Sequence, residues 1–174
     1  MFGGKFARIS KNLLTRPPES GIMTHMKEEA KAFVFDLDGT LFETSAVIHE
    51  EAEGLDAFIE FNDCEKLALE SKPLPLLDFA RTVANEGHEV YILTARQSIV
   101  AQTIMSLLSQ YGVTAQQVYC VGDKGLEVSA YKAELLRELS LKFRTYFFDN
   151  EEPNLEAAVD CGVFLYDETR TRFN

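Results

Sequence analysis

The sequence predicts a three-layer α/β domain, a parallel sheet between helices, with a small helical insertion after its first strand. Two observations carry this. Short apolar runs alternate with amphipathic stretches of about ten residues or more, which demands crossover connections, and right-handed crossovers make the strands parallel. Several runs also end in polar side chains of different kinds, as strands do where a site is assembled on the carboxyl edge of such a sheet. At 174 residues, 46% hydrophobic and 26% charged, the chain has the size and composition of one globular domain.

Residues 1–30 read as a basic extension. Lys5, Arg8, Lys11 and Arg16 occur before the first acid, and Phe2, Phe6, Ile9, Leu13 and Leu14 lie roughly on a helical stripe that Pro17 and Pro18 end. A flexible arm is expected, ahead of an organelle-targeting peptide or a partner contact, because only about two helical turns precede the prolines.

Residues 31–174 read as the domain itself. Its first strand is the run Ala32, Phe33, Val34, Phe35, ending at Asp36 and Asp38 with Gly39 and Thr40 behind them. Two residues apart in extended chain, the acids project the same way while Leu37 turns back to the core.

Residues 43–72 are rich in acids and helix formers. Ala46, Ile48, Ala52, Leu55, Phe58 and Ile59 form an approximate helical stripe, with Leu67 and Leu69 on a shorter second piece. This insertion is either a small cap over the acidic loop or a solvated helical excursion, and at this size it would leave a site rather open. Pro73 and Pro75 end it.

Residues 74–86 form an amphipathic helix with Leu76, Leu77, Phe79, Ala80, Val83 and Ala84 inward and Gly87 as its stop. Glu89–Thr94 is the second strand, followed by Ala95 and Arg96. A helix over 98–111 leads to Gly112. A strand over 118–121 ends at Gly122 and Asp123. The helix over 129–140 takes Ser129 as its cap and buries Ala133, Leu135, Leu136 and Leu139. A strand over 145–148 ends in Asp149, Asn150, Glu151 and Glu152. Pro153 suits the first turn of a helix that Gly162 stops, and a strand over 163–166 completes a Rossmann-like arrangement.

A formal net charge of −11, more negative still without the basic first 18 residues, argues against a broad nucleic-acid-coating surface. Cys64, Cys120 and Cys161 are odd in number and lack metal-ligand spacing, so neither a disulfide framework nor a zinc site is supported; Cys120 and Cys161 read as buried thiols. A reducing, cytoplasmic setting fits that usage. No apolar run approaches the roughly 20 residues needed to span a bilayer.

The stretch FVFDLDGTLF, residues 33–42, carries the functional signal. Taken alone, Asp-x-Asp-Gly is as well explained by a turn after a strand, and the alternating acids do not continue as a calcium loop requires. The whole stretch resembles the first motif of the haloacid dehalogenase superfamily of aspartate-dependent phosphotransferases, in which Asp-x-Asp-x-Thr follows the first strand. Thr94 in ILTAR, Lys132 in the helix before the fourth strand, and Asp149 after that strand stand in the order of the remaining motifs.

The resemblance implies a Mg²⁺-dependent phosphomonoesterase. Asp36 would be the nucleophile that forms an aspartyl-phosphate, and Asp38 would protonate the leaving group and then activate water. Thr94, Ala95, Arg96 and Lys132 would hold substrate, with Thr94 and Lys132 also serving the chemistry. The metal would sit on Asp36, the Asp38 carbonyl, Asp149 and Asn150. Two places depart from the pattern. Asn150 and Pro153 stand where a second acid is usual, so the metal site is completed either by the Asn150 carbonyl, which brings no charge, or by Glu151 or Glu152; Lys124 in VGDKG competes with Lys132.

Arg96 would clamp a further anionic group or pair with an acid. The LTAR stretch and the short insertion further resemble nucleotidases and the phosphatase part of polynucleotide kinases, which makes a nucleotide or a nucleic-acid end the expected substrate; no GxxxxGK[ST] loop accompanies them. The rival expectation is a fold-retaining scaffold without turnover.

Overall fold

The structure, a computed structural model, describes residues 30–47, 53–125 and 127–166. The basic extension up to residue 29, with His25, and the stretch that contains Ile48, His49 and Ala52 lie outside the described residues.

The elements in chain order are β1 (Lys31–Phe35), β2 (Phe42–Glu43), α1 (Gly54–Phe61), α2 (Cys64–Glu70), β3 (Lys72–Pro73), α3 (Leu76–Asn85) and β4 (Glu89–Thr94). They continue with α4 (Ala101–Gln110), β5 (Gln117–Cys120), α5 (Val128–Ser140), β6 (Arg144–Phe148), α6 (Glu152–Ala158) and β7 (Phe164–Tyr166). The main sheet has the order β5-β4-β1-β6-β7, with every pairing parallel. The chain runs outward from β1 through β4 to β5, then returns to β6 and β7 on the other side of β1. This reversal places a crevice at the carboxyl end of β1, the usual binding position in open α/β sheets.

Alternation along β1 supplies both cores. Phe33 and Phe35 face α3 and α4, where Leu77, Ala80, Val83, Ile104, Leu107 and Leu108 are buried. Val34 faces the other way, with Leu93 and Phe147 against Ala133, Leu136 and Leu139 of α5 and Ala158 of α6. Phe35 stacks on Phe148 at 4.6 Å between ring centroids and Phe33 on Tyr146 at 5.1 Å, so the two central strands are locked in register by rings as well as by backbone bonds.

The structure differs from the sequence-based expectation in several places. Ser129 does not cap α5: Glu127 holds the cap position without a side-chain bond, and the Ser129 hydroxyl donates to Asn154 Oδ1 at 2.7 Å, tying α5 to α6. Strand β5 stops at Cys120 because Val121–Lys124 turns as a 3₁₀ segment, with Gly122 N donating to Arg96 O at 3.1 Å. Cys120 is only half-buried. Phe79 is part-exposed and meets Phe33 and Phe35 edge-on.

The insertion is clasped at its base by β2 and β3, which pair antiparallel, Phe42 opposite Pro73 and Glu43 opposite Lys72. Among its described apolar positions Val47 and Leu67 are fully buried; Leu55, Phe58, Ile59 and Leu69 are exposed.

Thiol chemistry checks this packing. Cys64 is exposed, Cys161 is buried, and burial, reinforced by Asp123, pushes the Cys120 thiol up to about 11. Burial likewise raises Cys161. Under native conditions at pH 8, Ellman's reagent is expected to modify Cys64 first, with Cys120 and Cys161 at least about tenfold slower until denaturant is added.

Candidate active site

Asp36 continues β1 by one residue, its N donating to Phe148 O at 2.8 Å, so its side chain emerges in the crevice between β1 and β6. Asp149 leaves β6 at the same level. Lys132 reaches both from α5: its Nζ donates to Asp36 Oδ1 at 2.7 Å and to Asp149 Oδ2 at 2.8 Å. All three are buried, at 4%, 1% and 3% exposure for Asp36, Lys132 and Asp149. Lys132 can be held so deep because α5 packs its buried face on the same sheet that carries the two acids. Lys124, the competing lysine, is exposed in the turn after β5, with its Nζ 6.0 Å from the Tyr131 ring.

Further bonds fix Asp149. Asn154 Nδ2 donates to both of its oxygens, at 3.1 and 3.0 Å, and Glu151 N donates to Oδ1 at 2.8 Å. Asn154 was missed in the sequence; its position five residues beyond Asp149, one turn into α6, is the signal that would have found it.

Burial pushes the Asp36 carboxyl up to about 7, against the pull of Lys132 and assisted by the charges of Asp149 and Asp38. Burial alone would lower Lys132, but the two carboxylates outweigh it and raise it. One lysine thus serves two buried acids, leaving negative charge uncompensated.

Asp38 points to the opposite side of the crevice. Its Oδ1 accepts from Thr44 Oγ1 at 2.7 Å and from Arg96 Nη2 at 2.7 Å; Arg96 Nε lies 3.0 and 3.1 Å from its two oxygens, and Thr94 Oγ1 donates to Oδ2 at 3.3 Å. Thr94 and Arg96 are fully buried. Of the two roles open to Arg96, the structure places it with an acid of the same crevice.

Ala95 contributes backbone: a Cβ on Gly122 would collide with Ala95 O and lie 2.8 Å from the Arg96 carbonyl carbon, so Gly122 lets the turn after β5 brace the loop after β4. Thr44 and Gly122 are site-supporting residues that the sequence pattern did not single out.

Asn150 is exposed, and its Oδ1 accepts from Thr40 Oγ1 at 3.1 Å. Gly39, at φ +74°, sits so close that a Cβ there would meet Asn150 Nδ2. Glu151 and Glu152 are exposed at the start of α6. Among the described residues no three His, Cys, Asp or Glu side chains are gathered as a metal cluster. The donor chemistry nevertheless fits a hard divalent cation: Asp36 and Asp149 supply two carboxylates that share a single lysine, and neutral oxygens are at hand in Asn150 and the backbone. Among the described residues the site is closed over Asp36, where an open one was expected, while Asp38 keeps 21% side-chain exposure. Asp36 is almost fully covered, and the adjoining hollow lined by Gly39, Thr40, Leu76, Asp149, Asn150 and Tyr166 holds only about 10 Å³.

Comparison with known proteins gives a consistent picture. Residues 14–147 match the family described as HAD superfamily, subfamily IIIB (acid phosphatase). No curated protein sequence matches the chain. Among solved structures, a chain of the Pnkp1/Rnl/Hen1 RNA repair complex superposes with a TM-score of 0.60 at 16% identity, covering 81% of this chain and 43% of that one. This chain therefore spans less than half the length of that relative. A HAD-superfamily hydrolase of subfamily IA from Geobacter sulfurreducens gives 0.59 at 14% identity, covering 82% and 91% of the two chains. A HAD family enzyme from Bacteroides thetaiotaomicron, in complex with magnesium and inorganic phosphate, gives 0.54 at 15% identity, covering 79% and 93%. At these identities the likeness is one of fold.

Two substitutions test the geometry. Lys132→Ala strands two buried carboxylates and should cost about 3–5 kcal/mol, read by urea unfolding. Gly122→Ala drives a methyl into the Ala95 carbonyl and should cost about 1–3 kcal/mol by the same measurement.

Proposed function

The chain belongs to the HAD superfamily, subfamily IIIB, a family of phosphatases, and from that membership we propose that it is a Mg²⁺-dependent phosphomonoester hydrolase acting through an aspartyl-phosphate on Asp36. The observation that carries the proposal is the buried bridge from Lys132 to Asp36 and Asp149, with Asp38 beside it on the same loop.

In this mechanism an Asp36 oxygen attacks phosphorus, the phosphorus–oxygen bond to the leaving group breaks, and the departing oxygen takes a proton from Asp38. Water then attacks the phosphoryl group, gives a proton to Asp38, and the Asp36–phosphorus bond breaks to release inorganic phosphate. Lys132 stabilises charge that builds on the phosphoryl oxygens, and the hydroxyl of Thr94 orients them. A Mg²⁺ ion held by Asp36, the Asp38 carbonyl, Asp149 and Asn150 would neutralise the charge that Lys132 leaves and polarise the phosphoryl group.

The covered nucleophile requires an opening step. We assign that step to residues 43–72 as a small cap hinged on the β2–β3 clasp, with residues 1–30 as a separate basic extension.

The substrate class proposed is a small phosphorylated molecule, a nucleotide or a nucleic-acid terminal phosphate. The likeness to a chain of an RNA repair complex supports it. The acidic composition favours a short substrate over a long nucleic acid.

Phosphate release from a panel of nucleotides, end-phosphorylated oligonucleotides and sugar phosphates, with Mg²⁺ or chelator, tests the proposal. Release should require the ion and fall by more than about a thousandfold in Asp36→Asn. Turnover that survives either treatment would overturn it.

A further inference from the structure

The contact between the insertion and the loop after β4 assigns a role to a residue of the insertion. The Phe61 ring, at the carboxyl end of α1, lies 4.0 Å from the guanidinium carbon of Arg96. The next residue reinforces the seat: Asn62 Oδ1 accepts from Gln97 N at 2.7 Å. On its other side Arg96 holds Asp38 through Nε and Nη2, while its Nη1 is buried with no hydrogen-bond partner among the described residues. Arg96 is fully buried, yet the Asp38 side chain keeps 21% exposure, so a substrate in the crevice meets Asp38 with Arg96 behind it and Phe61 behind Arg96.

We propose that Phe61 is a positioning residue: its ring confines the Arg96 guanidinium to the orientation that aims the Asp38 carboxylate, so that the seating of α1 sets the geometry of the proton-transfer residue. This rests on the assignment of Asp38 as the group that protonates the leaving oxygen.

The physical basis is confinement. An arginine side chain has many rotamers and an unpaired nitrogen seeks water, so Arg96 stays on Asp38 only while the space toward α1 is filled. An aromatic face fills it and attracts the cation at once. If α1 lifts, the ring leaves, water reaches Nη1, and Arg96 is free to swing from Asp38. The backbone of Arg96 does not move with it, because Gly122 N holds its carbonyl and its own N donates to Thr94 Oγ1 at 3.2 Å.

The test compares two phosphomonoesters in full-length protein with Mg²⁺: an alkyl phosphate, whose leaving oxygen needs a proton, and p-nitrophenyl phosphate, whose leaving group departs without one. Phe61→Ala should lower kcat/KM for the alkyl ester by about tenfold or more and for the aryl ester by less than about threefold. Phe61→Tyr, which keeps the ring, should return the ratio toward that of wild type. Asn62→Ala, which loosens the same seat without touching Arg96, should shift the ratio in the same direction by less.

Equal losses on both esters in Phe61→Ala and Asn62→Ala would reduce Phe61 to a packing residue and overturn the inference. Asp38→Asn separates the two readings. If that variant leaves the ester ratio unchanged, the assignment of Asp38 has failed; if it shifts the ratio and the Phe61 variants do not, the positioning role has failed.

Discussion

Everything at the crevice depends on a buried lysine shared by two buried acids. Removing Asp36 and Asp149 from water is costly, and the cost is met only where a cation is delivered at hydrogen-bond distance with the remaining lone pairs satisfied. Lys132 supplies the cation; Asn154 and the backbone of Glu151 satisfy Asp149. Asp36, Lys132 and the Asp149–Asn154 segment come from three separate parts of the chain. The arrangement exists because α5 packs on the sheet face where Val34, Leu93 and Phe147 are buried, which fixes the height at which Lys132 enters.

The topology makes that placement possible. Reversal of the strand order at β1 leaves its carboxyl end flanked by β4 on one side and β6 on the other, and each neighbour brings its own chemistry to the same edge. The Asp36 side meets Lys132 and Asp149 across β6; the Asp38 side meets Thr94 and Arg96 across β4. Two acids with a single residue between them thus enter environments of opposite character. One shares a lysine in a dry cluster, and the other is clamped by an arginine and two hydroxyls.

The insertion is the part to which the proposed opening step is assigned. It buries Val47 and Leu67, the latter in the main core, but leaves Leu55, Phe58, Ile59 and Leu69 exposed. It meets the rest of the protein through the β2–β3 clasp, through α2 packed on α4, and through the contacts of Phe61, Asn62 and Cys64. Helix α1 buries none of its residues, so its local displacement costs little, the condition for a segment that opens and closes over a site.

The strands and helices were legible in the sequence because each rests on local rules. The continuous apolar run of Phe33, Val34 and Phe35, the helical stripe of Leu77, Ala80 and Val83, and the glycines after helices report on neighbours only a few residues away. The acids after β1 were legible too, since strand, alternation and Gly39 lie in one short run. What the sequence by itself determined is therefore the α/β layering and the identity of the chemical groups at the strand ends. Only the tertiary structure decided which groups meet: that Arg96 lies on Asp38, that Ser129 bonds Asn154 across helices instead of capping α5, and that Phe61 roofs Arg96. Those pairings join residues far apart in the chain, and their distances are set by packing between layers, which no local pattern encodes.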